Sequence, residues 1–113
     1  MEKKPKVSII IPSYNNGKYI GSAISSALNQ TYPNIEVIIV DDNSNDGTKE
    51  ILNELINSNL ICIFNKNNVG ASASKNIAIR RSSGEYIAIL DSDDVYSKQK
   101  IEAQINWIDI LWH

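Results

Sequence analysis

Four short apolar runs rich in β-branched residues, Val7–Ile11 (VSIII), Ile35–Val40 (IEVIIV), Leu60–Phe64 (LICIF) and Tyr86–Leu90 (YIAIL), alternate with segments of helical periodicity. That alternation limits the fold more than any other feature. Ile20, Ala23, Ile24, Ala27 and Leu28 fall at i, i+3, i+4, i+7 and i+8 and make one helical stripe. Ile51, Leu52, Leu55 and Ile56 do the same within Thr48–Ile56, with Ser44, Asp46 or Thr48 as the capping candidates. Ala71–Arg81 reads as a small-residue helix with Arg80 and Arg81 at the negative end of its dipole. Ser97 is expected to cap a last helix running through Ile101, Ile105, Ile108 and Trp112. Pro12 is expected to close the first strand, because it has no N–H for a ladder. The second run, apolar on both faces, suits a central parallel strand. Strands joined by helices of this length run parallel, since a hairpin needs only a few linking residues. The expectation is an α/β fold with a mainly parallel sheet, whose strand C-termini share one edge, the edge where open α/β folds bind ligands.

With 113 residues the chain has room for one domain. Eleven Lys and Arg against thirteen Asp and Glu give a formal charge of -2, so nothing electrostatic favours a nucleic-acid partner. Cys62 is the one cysteine; it has no internal disulfide partner and sits in an apolar run, as a small buried thiol in a reducing compartment would. No stretch approaches the roughly 18 apolar residues of a membrane span, and MEKKPK is not a signal peptide. A cytoplasmic location is expected, with membrane association left to a longer protein. The ending INWIDILWH has no cap or polar tail and reads as a cut.

All four strands are followed by polar segments: PSYNNGKY, DDNSNDG, NKNNVGAS and DSDD. The opposite edge carries turn residues only, such as TYPN and SSGE. In extended backbone residues i and i+2 point the same way, so Asp91 and Asp93 can offer two carboxylates to one hard cation, Mn²⁺ or Mg²⁺, with positions left for phosphate oxygens. The alternative is a solvated acidic turn in which Asp94 or Ser97 caps the last helix. Asp41 and Asp42 reach the same edge; a carboxylate there can accept hydrogen bonds from a base or ribose, or merely cap the following helix. Tyr14 emerges beside them, either to cover a nucleobase or as a packed tyrosine, and Asn15 after it is a further nucleotide-binding candidate. Gly70 opens a helix of small residues whose accessible N–H groups suit a phosphate. Lys75, one turn on, offers a point charge to a diphosphate or is simply solvated. Neither GxGxxG nor GxxxxGK[ST] occurs, and the single histidine is the last residue, so Ser-His-Asp and Cys-His catalysis and zinc lack members.

VSIIIPSYNNGKYI, IEVIIVDDNSNDGT, NVGASASKNIAI and GEYIAILDSDD, in this order and spacing, resemble the inverting GT-A glycosyltransferases often called family 2. The resemblance covers essentially the whole chain. It implies a Rossmann-like three-layer sandwich with strand order 3-2-1-4, and a nucleotide-diphosphate sugar, commonly a UDP-sugar, as donor. It further implies that Tyr14 and the backbone at Pro12 and Ser13 hold the base and Asp42 hydrogen-bonds it. Lys75 would approach the diphosphate, Asp91 and Ser92 would sit near ribose or metal, and Asp93 would ligate Mn²⁺ or Mg²⁺. The family usually has arginine at Lys75, and lysine lacks the planar fork. Members also continue beyond the acidic motif into an acceptor-binding portion with the catalytic base. Residues 1–113 therefore read as a donor-binding portion that binds donor weakly but transfers sugar slowly or not at all, self-associating through an apolar last helix. Competing readings are a phosphoacceptor receiver domain, which makes residues 1–34 surplus, and a non-catalytic scaffold that keeps the fold.

Overall fold

The computed structural model describes residues 4–56 and 59–112, with side chains described through Trp107. Eight elements follow one another: β1 (Val7–Ser13), α1 (Gly17–Leu28), β2 (Ile35–Asp41), α2 (Thr48–Leu55), β3 (Leu60–Phe64), α3 (Ala71–Arg81), β4 (Tyr86–Ile89) and α4 (Lys100–Trp112). All pairings are parallel and the strand order is β3-β2-β1-β4, as expected.

The two faces of the sheet bury different helices. Val7, Ile9 and Ile11 of β1, with Val37 and Ile39 of β2, pack against Ile20, Ala23, Ile24 and Ala27 of α1, Leu52 of α2 and Ile101 of α4. The alternate residues Ile10, Ile38 and Val40 face Ala78 and Ile77 of α3. The result is an α/β/α sandwich in which the central strands are inaccessible to water: Ile9, Ile10 and Ile11 are each 0% exposed.

Pro12 does not close β1, which continues in register to Ser13 opposite Asp41. Hydrogen-bond parity explains this. Val7 and Ser13 bond toward β2, through Val7 N–H to Asn34 O at 3.0 Å and Asp42 N–H to Ser13 O at 2.8 Å. Ile10 bonds toward β4, whose ladder ends at Ile89 opposite it. Pro12 shares that side, so its missing N–H faces a position where β4 has already ended, and no ladder bond is lost.

The final helix starts at Lys100 rather than Ser97. Its first turn is held from α1's exit instead: Gln30 Oε1 accepts Ile101 N–H at 3.0 Å, and Ser97 contributes its carbonyl, to Gln30 Nε2 at 2.7 Å and Lys100 N–H at 3.2 Å. Ile108 and Trp112, expected on its apolar stripe, lie outside the described side chains. Cys62 is half-buried rather than buried, and burial, aided by the charge of Asp41, pushes its thiol up to about 11.

The edge opposite the polar strand ends is more than turns. Glu36 Oε2 accepts Ser8 Oγ at 2.6 Å and Ser83 N–H at 2.7 Å, and Ser83 Oγ donates to Oε1 at 3.0 Å. Gly84 N–H donates to Ser8 Oγ at 2.9 Å, and Lys6 Nζ lies 3.4 Å from Glu36. This clasp joins β1, β2 and the turn into β4. Burial raises the Glu36 pKa, but the Ser8 and Ser83 bonds and Lys6 outweigh it and hold the carboxyl below its usual range.

Candidate functional site

The four strand ends do converge. A cleft of about 390 Å³ is lined by Pro12, Ser13, Tyr14 and Asn16 after β1, Asp42 after β2, Asn68, Gly70, Ala71, Ser74 and Lys75 around the start of α3, and Asp91, Ser92 and Asp93 after β4. A larger groove of about 580 Å³ lies between β4 and α4, but it is lined mainly by apolar residues and carries no carboxylate. Chemistry assigns the site to the smaller cleft.

Strand parity decides which acid reaches it. Asp42 follows Ile38 and Val40 on the α3 side of the sheet, while Asp41 follows Val37 and Ile39 on the α1 side. Asp42 accordingly meets the loop before α3: its Oδ1 accepts Val69 N–H at 2.8 Å and Asn65 Nδ2 at 3.0 Å, and its Oδ2 accepts Gly70 N–H at 2.9 Å. Burial works against its charge, yet these donors outweigh it and keep the carboxyl below the ordinary range. The N–H of Gly70, which the sequence offered to a phosphate, is therefore taken by Asp42.

Asp41 is fully buried and does not line the cleft; its carboxylate accepts Ser44 N–H at 3.0 Å and Ser44 Oγ at 2.6 Å. Asn15 is also outside the lining. It sits at φ 52, donates its N–H to Ser44 Oγ at 2.9 Å and accepts Asn45 N–H on its Oδ1 at 2.8 Å, tying the β1–α1 loop to the β2–α2 loop. Of the three capping candidates for α2, Asp46 is the one that bonds Thr48 N–H, at 3.1 Å.

The acidic segment after β4 is not extended. Asp94 N–H bonds Asp91 O at 3.0 Å and closes a turn, so alternation is not what brings Asp91 and Asp93 to one place; the turn does, and both line the cleft. Both side chains are exposed, and among the described residues neither carboxylate accepts a hydrogen bond or joins an ion pair. Asp94 instead takes Val95 N–H at 2.8 Å. Two uncommitted carboxylates are a fitting donor set for a hard divalent ion whose remaining positions go to water and phosphate. Among the described residues no group of three or more His, Cys, Asp or Glu could enclose a metal by itself, so such an ion would need ligand oxygens.

Lys75 is partly buried in the cleft and makes no ion pair among the described residues. Tyr14 is 49% exposed at the rim. Ser13 Oγ is buried without a hydrogen-bond partner among the described residues.

Asn16, Asn68, Ala71 and Ser74 are cleft residues that the sequence reading did not single out. For Ala71 and Ser74 a signal existed, since they share the Lys75 side of α3 at i+3 and i+4 spacing. For Asn16 and Asn68 no local pattern marks them, because their partners are Ser92 and the Asp42 carbonyl, far along the chain.

A sequence model described as glycosyl transferase family 2 matches residues 8–112. Over 103 residues the chain is 47% identical to the UDP-Glc:alpha-D-GlcNAc-diphosphoundecaprenol beta-1,3-glucosyltransferase WfaP of Escherichia coli, covering 91% of this chain and 41% of that protein. The crystal structure of Staphylococcus aureus TarS 1-349 in complex with UDP superposes with a TM-score of 0.84 at 34% identity, over 92% of this chain and 32% of that one. The mannosyltransferase PcManGT from Pyrobaculum calidifontis, in complex with GDP-Man and Mn²⁺, superposes with a TM-score of 0.86 at 26% identity, over 94% and 33% of the two chains. The chain thus spans less than half the length of these relatives. Among the described residues no helix is long and apolar enough to cross a membrane. Fold, cleft and similarity agree that the chain has the GT-A fold and belongs to glycosyl transferase family 2.

Proposed function

We propose that residues 1–113 are the donor- and metal-binding portion of an inverting glycosyltransferase that uses a nucleotide-diphosphate sugar, most simply a UDP-sugar, with Mn²⁺ or Mg²⁺. The observation that carries this reading is the pair Asp91 and Asp93, uncommitted among the described residues, in one cleft with Lys75, which makes no ion pair among them, and the exposed ring of Tyr14. That TarS and PcManGT were solved in complex with UDP and with GDP-Man and Mn²⁺ supports a nucleotide ligand for this chain.

In this reading Tyr14 covers the base against the backbone at Pro12 and Ser13. Asp42 presents its carboxylate to the cleft and holds the α3 loop in place through the N–H groups of Val69 and Gly70 while it meets the nucleoside. Lys75 sets a point charge against the diphosphate, and Asp91 and Asp93 hold the divalent ion. A bound ion there stabilises the charge of the departing diphosphate. Inversion also needs a base to take the acceptor's proton. The cleft carboxylates are already assigned, so we place that base in the portion of the relatives that this chain does not match. The chain alone then binds donor weakly and transfers sugar slowly or not at all. We also propose self-association through α4, where Trp107 is 60% exposed.

Calorimetric titration with UDP and with GDP, with and without Mn²⁺, tests the site. UDP binding that Mn²⁺ strengthens, with that gain lost in Asp93→Ala, is expected. Binding that ignores both the ion and the substitution would favour a scaffold that merely keeps the fold.

A further inference from the structure

An asparagine just before a helix ordinarily turns its side chain onto that helix's own first N–H groups. Asn16 precedes α1 and makes no such bond. Its Nδ2 instead donates to Ser92 Oγ at 2.6 Å, across 76 residues of sequence. Asp46 Oδ2 meanwhile accepts the N–H of Gly17, the first residue of α1, at 3.0 Å. Asn16 is itself well fixed, since its carbonyl accepts the N–H groups of Tyr19 and Ile20, both at 2.9 Å.

Ser92 stands between Asp91 and Asp93. It is 4% exposed, whereas both acids are exposed and, among the described residues, uncommitted. Besides the Asp94 N–H to Asp91 O bond within the turn, Asn16 is therefore, among the described residues, a hydrogen-bonding hold from outside on the residue that joins the two carboxylates.

We propose that Asn16 is a positioning residue for the acidic turn: through Ser92 it fixes how Asp91 and Asp93 are presented to a divalent ion. The inference rests on the reading of those acids as ion ligands. Ordering the turn beforehand removes an entropy cost that the ion would otherwise meet on binding, as outer hydrogen bonds do for ligating side chains elsewhere.

The test is UDP affinity of the purified chain in Mn²⁺ and in EDTA for wild type, Asn16→Ala, Ser92→Ala and the double variant. Loss of an outer partner costs roughly 10-fold or more in metal affinity. Each single variant is expected to weaken UDP binding in Mn²⁺ by about that factor, to leave binding in EDTA unchanged, and to match the double variant. Should Asn16→Ala fail to fold, Ser92→Ala alone carries the test, since it removes one buried oxygen. Equal losses in Mn²⁺ and EDTA would make Asn16 a direct nucleotide contact and overturn the proposal, as would additive losses or none. A wild-type chain that binds UDP without any response to Mn²⁺ would overturn the site reading and this inference together; a responsive wild type with unresponsive variants would overturn this inference alone.

Discussion

Two buried carboxylates do structural work at opposite ends of the sheet, and single substitutions should expose each. Asp42→Ala orphans the N–H groups of Val69 and Gly70 and removes a partner of Asn65, so a loss of about 1–3 kcal/mol in urea unfolding is expected. Gly84→Ala should cost a similar amount, roughly 1–3 kcal/mol, because a Cβ there would meet Ser8 Oγ at 2.5 Å and, less forgivingly, Ser8 N at 2.7 Å. Glu36 and Asp42 both have pKa values lowered by folding. Below their ordinary values of 4.5 and 3.8 the unfolded chain takes up protons first. Their stabilisation is thus complete above those values and is lost as pH falls through the lower, folded ones. Urea midpoints measured down an acid series should fall in that window, and Glu36→Gln should flatten the decline. A midpoint indifferent to pH down to the unfolding limit would contradict the assignment. That Asp42 belonged to the ligand edge was legible from its place after an apolar strand. Its loop-holding role was not, since Val69 and Gly70 lie 27 and 28 residues away and no local spacing announces them.

Asp46 makes two helices share one cap. Its Oδ2 takes Gly17 N–H of α1, while its Oδ1 accepts Thr48 N–H of α2 at 3.1 Å and also the Thr48 hydroxyl. Gly17 is suited to this close approach, because a Cβ there would lie 3.1 Å from Thr48 Oγ1 and 3.3 Å from Asp46 Oδ2. Asp46→Ala is expected to lower stability by about 0.5–2 kcal/mol, the ordinary worth of a cap, and to speed amide exchange at the first turns of both helices. Exchange altered in α2 alone would deny the sharing. The elements and their order were readable because buried parallel strands and amphipathic helices each leave a periodic trace: the Ile-rich β1 and β2 and the stripe from Ile20 to Leu28 stand where the pattern places them. What the pattern missed are ends decided by distant partners. Pro12 stays in β1 because β4 is short, and α4 begins at Lys100 because Gln30 reaches Ile101 N–H. The DSDD turn was read as extended because alternation holds only within a strand, and β4 ends at Ile89.

At the scale of the molecule, one side of the sheet is left open. Among the described residues β4 is an edge strand paired only with β1, and Tyr86, Ile87 and Ile89 are each well exposed. Beside it runs the apolar groove to α4, with Trp107 on its rim. A parallel strand with apolar residues facing water is the kind of edge that other chains pair with or pack against. Association of copies should therefore grow with concentration, and light scattering across a dilution series would record it. Burying a side chain as large as Trp107 is worth more than the roughly 1.4 kcal/mol that corresponds to a tenfold change in affinity. Trp107→Glu should then shift the association at least tenfold toward monomer, by the same conversion, with the circular dichroism of the fold unchanged. Ile87→Lys, which places a charge on the edge strand, should act in the same direction. Because neither residue lines the cleft, nucleotide binding in Mn²⁺ should survive both substitutions. A wild-type chain that stays monomeric at high concentration would show that this edge, though apolar, does not drive association of copies.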